Sequence, residues 1–336
     1  MAKKKVEKED GELSDMISDI VKKYGNIIKP ASEILEEKLE VFSTGSPNLD
    51  LALGGGIQEG SMIEVVGLPK VGKTSLCLQT LTSYMDKGRA CYFFDSENRF
   101  DKKNLQIRGM RAEKLNLIRS EEDKILDAND TLNLIEQIMK KEKGCAIVLD
   151  SLSTLLSRER ATSEVDAQRR DTRPKLYSDW LQGISPLIRI NKISLFIIRH
   201  FGTNVTGQGK KYIPDGGLKV EFRKDISLHC AWSEKWMHGE KYLGKIMHFD
   251  ILCSNFAAPI DKIDTYLRFG YGIDREKEVV SQGLDFGLLE RSGSWILLSF
   301  LQEPIKLQGE ERVIEYLREN PESYTLLATK IKEALS

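Results

Sequence analysis

The sequence has little net charge, no paired cysteine motif and no long apolar run. Its 50 lysines and arginines nearly cancel its 51 aspartates and glutamates, so any site for a polyanionic partner must be local. The five cysteines include no CxxC pair and mostly lie in apolar runs, which indicates reduced core thiols and a cytoplasmic protein. No segment approaches the roughly 20 apolar residues of a membrane helix, and the charged N-terminal tail lacks the apolar stretch of a secretory signal. We therefore expect no contact with a membrane.

What is present is an alternation of apolar strands and helical segments, typical of an α/β domain with a mainly parallel sheet. The near-continuous apolar character of the strands fits burial on both faces. The predicted strands are Met62–Val66, Ala90–Phe94, Cys145–Leu149 and Ser194–Ile198, and the predicted helices are Thr74–Asp86, Thr131–Lys141 and Lys175–Ile190. Later runs without long helices between them predict an antiparallel extension of the sheet at Ile226–Ala231, Ile246–Cys253 and Thr265–Phe269.

We divide the chain of 336 residues into three parts. Residues 1–41 hold a charged tail and an amphipathic helix, whose apolar stripe from Leu13 to Val21 must pack on its own core or on a neighbouring subunit. Residues 42–270 form the α/β core. Residues 271–336 form a small α/β C-terminal domain.

The segment GLPKVGKT follows a predicted strand and opens a predicted helix, the context in which GxxxxGK[ST] indicates a P-loop. The glycines let backbone amides and the helix N-terminus face phosphate oxygens. Lys73 supplies a positive charge to the β- and γ-phosphates, and the Thr74 hydroxyl is a ligand for Mg²⁺. The predicted nucleotide-binding residues are Gly67, Leu68, Pro69, Lys70, Val71, Gly72, Lys73, Thr74 and Ser75.

Acidic residues follow two other predicted strands. Asp150 ends the strand CAIVLD, where a carboxylate can orient a water molecule on Mg²⁺ as a Walker B residue. Glu97 lies just past the strand of YFFDSEN, 24 residues after Lys73, where it could polarise the attacking water as a general base. Asp95 competes with Glu97 for that role. A purely structural carboxylate is the alternative at each of these positions.

Four segments, in order, closely resemble the RecA recombinases. They are FSTGSPNLDLALGGGIQEGSMIEVVGLPKVGKTSL, CYFFDSENRFD, IVLDS and NFAAPIDKIDTYLRFGYGID. The similarity runs from about Leu13 to near the C-terminus. It implies a RecA-type P-loop NTPase core with a mainly parallel twisted sheet, an N-terminal helix and a small α/β C-terminal domain. It also implies an ATP-dependent recombinase that requires Mg²⁺, forms a helical filament of its own copies on single-stranded DNA, and exchanges strands with a homologous duplex.

The resemblance assigns roles by matching position. Lys73 and Thr74 would bind phosphate and Mg²⁺, Asp150 would be the Walker B residue, and Glu97 the catalytic base, which is why we favour Glu97 over Asp95. His200 falls where bacterial RecA proteins carry a glutamine that senses the γ-phosphate, and a histidine there resembles some phage members.

Two segments match the DNA-binding loops of RecA proteins, roughly Ser157–Thr172 and Phe201–Leu218. From Arg199 through Lys224 the chain has six basic residues against two acidic ones, a net charge of +4 that suits phosphate contacts. The first loop is electrostatically more mixed, and both contain few aromatic residues for base stacking. The predicted DNA contacts are Arg169, Arg170, Lys210, Lys211 and Lys219.

Some positions depart from the family pattern. Cys253 and Asn255 stand where RecA proteins usually have a lysine pair that reaches the ATP of the neighbouring subunit, so another cation must serve or activation must be weaker. Asn104 replaces the tyrosine that commonly stacks on adenine, whereas Asp101 is retained as an expected contact to the base. The sequence leaves Arg199 open as a phosphate contact, a subunit-interface cation or a surface charge.

Two other functions share these motifs, a ring-shaped RecA-fold motor such as a helicase or clock-type ATPase, and an ATP-gated DNA-binding scaffold with little turnover. The recombinase interpretation predicts single- and double-stranded DNA, other copies of the chain, and single-strand-binding and mediator proteins as partners. Its expected location is the bacterial cytoplasm at the nucleoid, or the host cytoplasm for a phage-encoded chain.

Overall fold

The computed structural model describes residues 16–25, 27–28, 32, 38–157, 173–203, 212–214, 224–254 and 262–334. The chain divides into two units, residues 1–40 and 41–336. In the first unit, residues 16–24 form helix α1, which accounts for the predicted amphipathic segment except Leu13, a residue outside the described ranges. The domain boundaries predicted at residues 41 and 270 stay a prediction.

The second unit contains helices and strands in alternation, followed by a meander of strands. The helices are α2 (Pro47–Ala52), α3 (Lys73–Asp86), α4 (Ala128–Lys141), α5 (Arg173–Ile190), α6 (Arg275–Asp285), α7 (Glu310–Glu319) and α8 (Pro321–Glu333). The strands are β1 (Val41–Phe42), β2 (Ile57–Gln58), β3 (Met62–Gly67), β4 (Cys91–Asp95), β5 (Leu115–Arg119), β6 (Ala146–Asp150), β7 (Ser194–Thr203), β8 (Tyr212–Pro214), β9 (Ile226–His238), β10 (Lys241–Ser254), β11 (Ile263–Arg268), β12 (Gly272–Ile273), β13 (Glu290–Ser292), β14 (Trp295–Leu298) and β15 (Ile305–Gln308).

The main sheet is mixed, with parallel strands at its centre. Its order is β12-β11-β10-β9-β3-β7-β6-β4-β5, and β8 pairs with β7. The neighbours from β9 through β3, β7, β6 and β4 to β5 are parallel, whereas β9 to β12 are joined by antiparallel pairs. The predicted α/β fold with a mainly parallel sheet is thereby confirmed.

Both faces of the sheet are covered, which explains why its strands are apolar throughout. One face packs against α3 around Ile63, Val65 and Phe196. The other packs against α4 and α5 around Met62, Leu195 and Ile197. Each fully buried aliphatic side chain contributes on the order of 1.5–3 kcal/mol, so this double burial fixes the strand register.

Two features of the sheet differ from the prediction. Strand β9 was expected to join the sheet in antiparallel fashion, but it pairs in parallel with β3, and only β10 to β12 follow in antiparallel order. The sequence lacks a helical segment before Ile226 and so gives no sign of this parallel crossover. Strand β7 continues past Ile198 to Thr203, and His200 therefore lies inside the strand.

The C-terminal part has its own small core. The antiparallel sheet β13–β15 packs with helices α6, α7 and α8 around residues such as Val280, Leu298, Ile314 and Leu327. This arrangement agrees with the predicted small C-terminal domain of mixed helices and strands.

Candidate functional site

The P-loop connects the carboxyl end of β3 to the first turn of α3. Gly72 precedes α3 with a φ of 111°, and a Cβ atom added there would lie 2.2 Å from the Met247 sulfur. At Gly67 an added Cβ would lie 2.2 Å from the carbonyl oxygen of Cys230 on β9. Both glycines are therefore required, one by its backbone conformation and both by close approach.

Lys73 is buried at the start of α3, with its amine turned into the loop. Its Nζ donates hydrogen bonds to the carbonyl oxygens of Gly67 at 2.9 Å and Leu68 at 2.8 Å. Burial lowers the pKa of Lys73 from its ordinary value, although the nearby carboxylates of Asp150 and Glu97 oppose this shift. The acceptors that Lys73 Nζ contacts are the neutral carbonyl oxygens of the loop and a ring nitrogen of His200, and a phosphate group would be a stronger acceptor for this cation.

Thr74 and Asp150 meet across the sheet edge, where the Thr74 hydroxyl donates to Asp150 Oδ2 at 2.6 Å. Burial raises the pKa of Asp150 to about 6, and the hydrogen bond from Thr74 works against that rise. A hydroxyl and a carboxylate oxygen side by side at a P-loop form a hard oxygen donor set that suits Mg²⁺. The residues present therefore fit Mg²⁺ and the phosphates of a nucleotide.

His200 links the P-loop lysine to Glu97. Its Nδ1 lies 3.2 Å from Lys73 Nζ, and its Nε2 lies 2.9 Å from Glu97 Oε1. Because the ammonium group of Lys73 can only donate, Nδ1 accepts, and Nε2–H then donates to the Glu97 carboxylate. Arg99 also holds Glu97, with Nη1 3.0 Å from Oε2. The structure thus brings the three predicted catalytic residues into one hydrogen-bonded row.

Asp95 is engaged elsewhere. Its carboxylate accepts the backbone N–H groups of Arg99 at 3.1 Å and Phe100 at 2.8 Å, and its side chain is buried. These bonds shape the turn after β4 and leave Glu97 as the carboxylate that faces His200. The preference for Glu97 over Asp95 as the general base has this geometric support and stays a prediction.

Ser153 is a contact that the sequence did not single out. It lies in the short helical turn Leu152–Thr154 after β6, and its hydroxyl accepts the backbone N–H of His200 at 3.0 Å. Arg173 also bonds to the segment just after this turn, since its Nη1 donates to the carbonyl oxygen of Leu155 at 3.0 Å. A serine within a short helical turn has no distinctive spacing, so no pattern in the sequence could have identified it.

Asp101 and Asn104 bond to their own turn. Asn104 Oδ1 accepts the backbone N–H of Asp101 at 2.9 Å, and Asp101 Oδ1 accepts that of Lys103 at 2.8 Å. The turn keeps both side chains at the surface side of the segment after β4. Their predicted contacts with the nucleotide base stay a prediction.

The five predicted DNA contacts, Arg169, Arg170, Lys210, Lys211 and Lys219, lie outside the described residues, as does Asn255. Cys253 is partly buried, and burial raises the pKa of its thiol, which favours the neutral form. A cysteine side chain cannot supply the positive charge of a lysine. Arg199 is fully buried and forms an ion pair with Glu64 on β3. It is therefore not a surface charge. Within the described ranges, no helix combines the length and apolar character that crossing a membrane requires.

Comparisons with known proteins cover almost the whole chain. The sequence model of the RecA N-terminal domain matches residues 11–274, and that of the RecA C-terminal domain matches residues 277–336. A curated relative, Protein RecA of Wolinella succinogenes, is 28% identical over 302 residues, which cover 89% of this chain and 84% of the relative. Protein RecA of Legionella pneumophila is 27% identical over 334 residues, or 96% of this chain and 92% of the relative. Protein RecA of Thermotoga neapolitana is 26% identical over 313 residues, or 92% and 88%.

The match spans both the nucleotide site and the small C-terminal part, and the relatives are covered nearly end to end. The chain therefore belongs to the RecA family, the DNA-dependent ATPases of homologous recombination and repair, which use ATP with Mg²⁺, bind DNA and form filaments.

Proposed function

We propose that this chain assembles as a filament on single-stranded DNA in response to ATP, and that His200 reports the nucleotide state to the DNA-binding segments. The observation that carries the proposal is the row of contacts from Lys73 through His200 to Glu97. His200 lies on β7, which runs on to Thr203 just before residues 204–211. One strand end thus joins the nucleotide site to the segment predicted to bind DNA.

Each of the three residues has a separate part. Bound ATP with Mg²⁺ supplies the phosphate bond that is broken and the negative charge that the site must neutralise. Lys73 exchanges its loop carbonyl partners for phosphate oxygens, because a charged acceptor makes the stronger hydrogen bond. Glu97 accepts the proton of the attacking water, and Arg99 and His200 hold its carboxylate in place.

The sensor role of His200 follows from its hydrogen-bond roles. When Lys73 turns to phosphate, Nδ1 of His200 loses its donor, while Nε2–H still donates to Glu97. The imidazole can then bind a new partner, and β7 can move with it at this residue. Because the Ser153 hydroxyl accepts the backbone N–H of His200, such a movement also reaches the turn after β6. Both predicted DNA loops begin beside this point, so a small shift here can reach them.

The test is to measure ATP hydrolysis with and without single-stranded DNA, and DNA affinity with and without ATP. We expect DNA to stimulate hydrolysis and ATP to strengthen DNA binding. Absence of DNA binding in the presence of ATP would overturn the proposal.

A second candidate, an ATP-gated DNA-binding scaffold with little turnover, is favoured by the neutral Cys253 at the position of a usual lysine. Lys73→Ala separates the two functions. If it abolishes a robust DNA-stimulated ATPase, the enzyme is supported. Negligible turnover of the unaltered protein with intact ATP-dependent DNA binding would support the scaffold.

For the cellular setting, we propose that the filament works at the nucleoid in the cytoplasm, or in the host cytoplasm for a phage-encoded chain. Single-strand-binding and mediator proteins are the partners expected there, because a filament must displace proteins that already cover single-stranded DNA. The described cysteines are all unpaired thiols, which suits a reducing compartment.

A further inference from the structure

A buried ionic cluster lies next to the nucleotide site and takes no part in the chemistry described above. It consists of Glu64, Arg199, Lys224 and Ser227, and is called the Glu64 cluster below. Arg199 Nη1 donates to Glu64 Oε1, Lys224 Nζ donates to Oε2, and the Ser227 hydroxyl donates to Oε2 at 2.8 Å. The side chains of Arg199, Glu64 and Lys224 are 0%, 1% and 11% exposed.

The cluster joins three adjacent parts of the sheet. Glu64 on β3 pairs in register with Ile197 on β7 and with Ser227 on β9. Arg199 is two residues beyond Ile197 and so reaches the same carboxylate diagonally from the same face of the sheet. Lys224 precedes β9 and directly follows residues 215–223. One carboxylate therefore holds the strand of the P-loop, the strand of His200 and the point where the chain returns from the predicted DNA loop.

Stability of the core alone does not explain why these charged residues occupy buried positions. Burying three charged groups costs free energy, and replacing a buried ion cluster with well-packed apolar residues is often neutral or stabilising. Burial by itself raises the pKa of Glu64, but the charge of Arg199 and the hydrogen bond of Lys224 hold that pKa below its ordinary value. The carboxylate therefore stays ionised, and both of its oxygens accept hydrogen bonds from defined directions. Such a group can fix the relative position of several strands.

Arg199 and His200 are consecutive on β7 and point to opposite faces of the sheet. His200 faces α3 and Lys73, whereas Arg199 faces the Glu64 side. A displacement of β7 at His200 must therefore move Arg199 as well. Because Arg199 and Lys224 bond to the two oxygens of one carboxylate, a shift of the first changes the anchoring of the second.

We propose that Arg199, Glu64 and Lys224 are positioning residues that transmit the nucleotide state at His200 to the returning end of the DNA-binding segment. The inference rests on the proposed function. It assigns Arg199 an internal role, which replaces the three alternatives that the sequence left open. It also gives the segment from 201 to 223 two points of control, His200 at its start and Lys224 at its end.

The measured quantity is the ratio of the dissociation constants for a labelled single-stranded oligonucleotide without and with a non-hydrolysable ATP analogue and Mg²⁺. We compare the unaltered protein with Lys224→Met and with the triple variant Glu64→Met, Arg199→Met and Lys224→Met, which leaves no buried charge unpaired. The affinity of each variant for the ATP analogue is measured in parallel. A thermal unfolding curve is recorded for each variant, and only variants that unfold cooperatively are compared.

The control is Arg318→Met. Arg318 also bonds to a fully buried carboxylate, that of Asp274, at 2.5 Å, but it lies on α7 in the C-terminal part. Replacing Arg318 weakens a buried ion pair, as the cluster variants do, but at a site away from β3 and β7. We expect this variant to keep the ratio of the unaltered protein.

In both cluster variants we expect the ratio to fall about tenfold, with the analogue's affinity changed less than about twofold. A direct DNA contact by Lys224 would instead lower both DNA affinities and leave the ratio unchanged. An unchanged ratio in the folded triple variant would overturn the inference and leave the proposed function intact. An unaltered protein in which the analogue does not strengthen DNA binding would overturn the proposed function, and the inference with it.

Discussion

At the scale of single residues, Asp150 shows opposite demands of folding and chemistry on one carboxyl group. Burial raises its pKa to about 6, so the ionised form that Mg²⁺ requires is disfavoured by the fold. The folded state holds this proton to higher pH than the unfolded chain does. Asp150 therefore contributes stability at acid pH that is lost as pH rises through about 6.

Asp150→Asn should separate these effects. At pH 7 the variant should unfold with a free energy larger by about 3 kcal/mol, because position 150 no longer carries a buried charge, while its ATPase activity is lost. The stability difference from the unaltered protein should shrink towards pH 4. In the unaltered protein, kcat/KM for ATP should fall about tenfold per pH unit below about 6. Denaturant unfolding and a pH–rate profile measure both, and a variant no more stable than the parent would contradict the explanation.

His200→Ala tests the sensor. The variant should bind ATP, because Lys73 and the P-loop are intact, but ATP should no longer strengthen DNA binding. His200→Gln is the matched control, since a side-chain amide can also accept from Lys73 and donate to Glu97. Fluorescence anisotropy of labelled DNA with and without ATP gives the answer. Coupling that survives in the alanine variant would count against the sensor role.

At the scale of elements, α6 is tied to the core by a buried carboxyl group. Glu278 accepts hydrogen bonds from the Ser46 hydroxyl at 2.6 Å and from the backbone N–H groups of Asn48 at 3.0 Å and Tyr266 at 3.1 Å. It thereby connects α6 with the first residues of α2 and with β11. Burial raises the pKa of Glu278 to about 8 in spite of these bonds.

This pKa predicts a pH-dependent attachment of α6. The folded protein holds the Glu278 proton up to about pH 8, whereas the unfolded chain releases it near 4.5. The unfolding free energy should therefore fall as pH rises through that window. Glu278→Gln cannot ionise, so the pH dependence of its unfolding should be flatter between about pH 4.5 and about pH 8. The unfolding free energy of both proteins is measured by denaturant titration at each pH. If it changes equally with pH in the two proteins, Glu278 does not have the raised pKa assigned to it.

The elements that the sequence predicted best are those buried on both faces. Strands β3, β4 and β6 and helix α3 lie within a residue or so of their predicted bounds, because continuous apolar runs and the P-loop leave little freedom. Strand β5 was missed because it is an edge strand in which no residue is fully buried, and Asn116, Leu117 and Arg119 are exposed. Strand β7 was predicted to end at Ile198, since a charged residue such as Arg199 normally marks a strand end, and only tertiary contact with Glu64 explains its burial.

The residues of the candidate site also fall into a group that the sequence predicted and a group that it did not. Spacing and strand ends predicted Lys73, Thr74, Asp150 and Glu97, because they bring these residues to one edge of a parallel sheet. The choice of Glu97 over Asp95 and the role of His200 came from the resemblance to the RecA recombinases. Ser153, Arg99 and the Glu64 cluster could not be predicted, because their roles depend on strand order and side-chain direction.

At the scale of the whole molecule, function requires ATP, DNA and further copies of the chain at once. Lys73→Ala removes the amine that meets the phosphates, so DNA-stimulated ATP hydrolysis should fall at least about 100-fold while the fold persists. The steady-state rate with saturating single-stranded DNA measures this. Arg318→Met serves as the control for general damage, and hydrolysis that continues in Lys73→Ala would place the reaction elsewhere.

The central claim is that nucleotide binding prepares this molecule for homologous recombination. It is tested most directly by incubating the unaltered protein with single-stranded DNA, a homologous duplex, ATP and Mg²⁺, and following the joint and exchanged products on a gel. We predict exchanged strands only when the duplex is homologous and ATP is present, and none with Lys73→Ala. Intact ATP hydrolysis and DNA binding without any homology-dependent product would contradict the account.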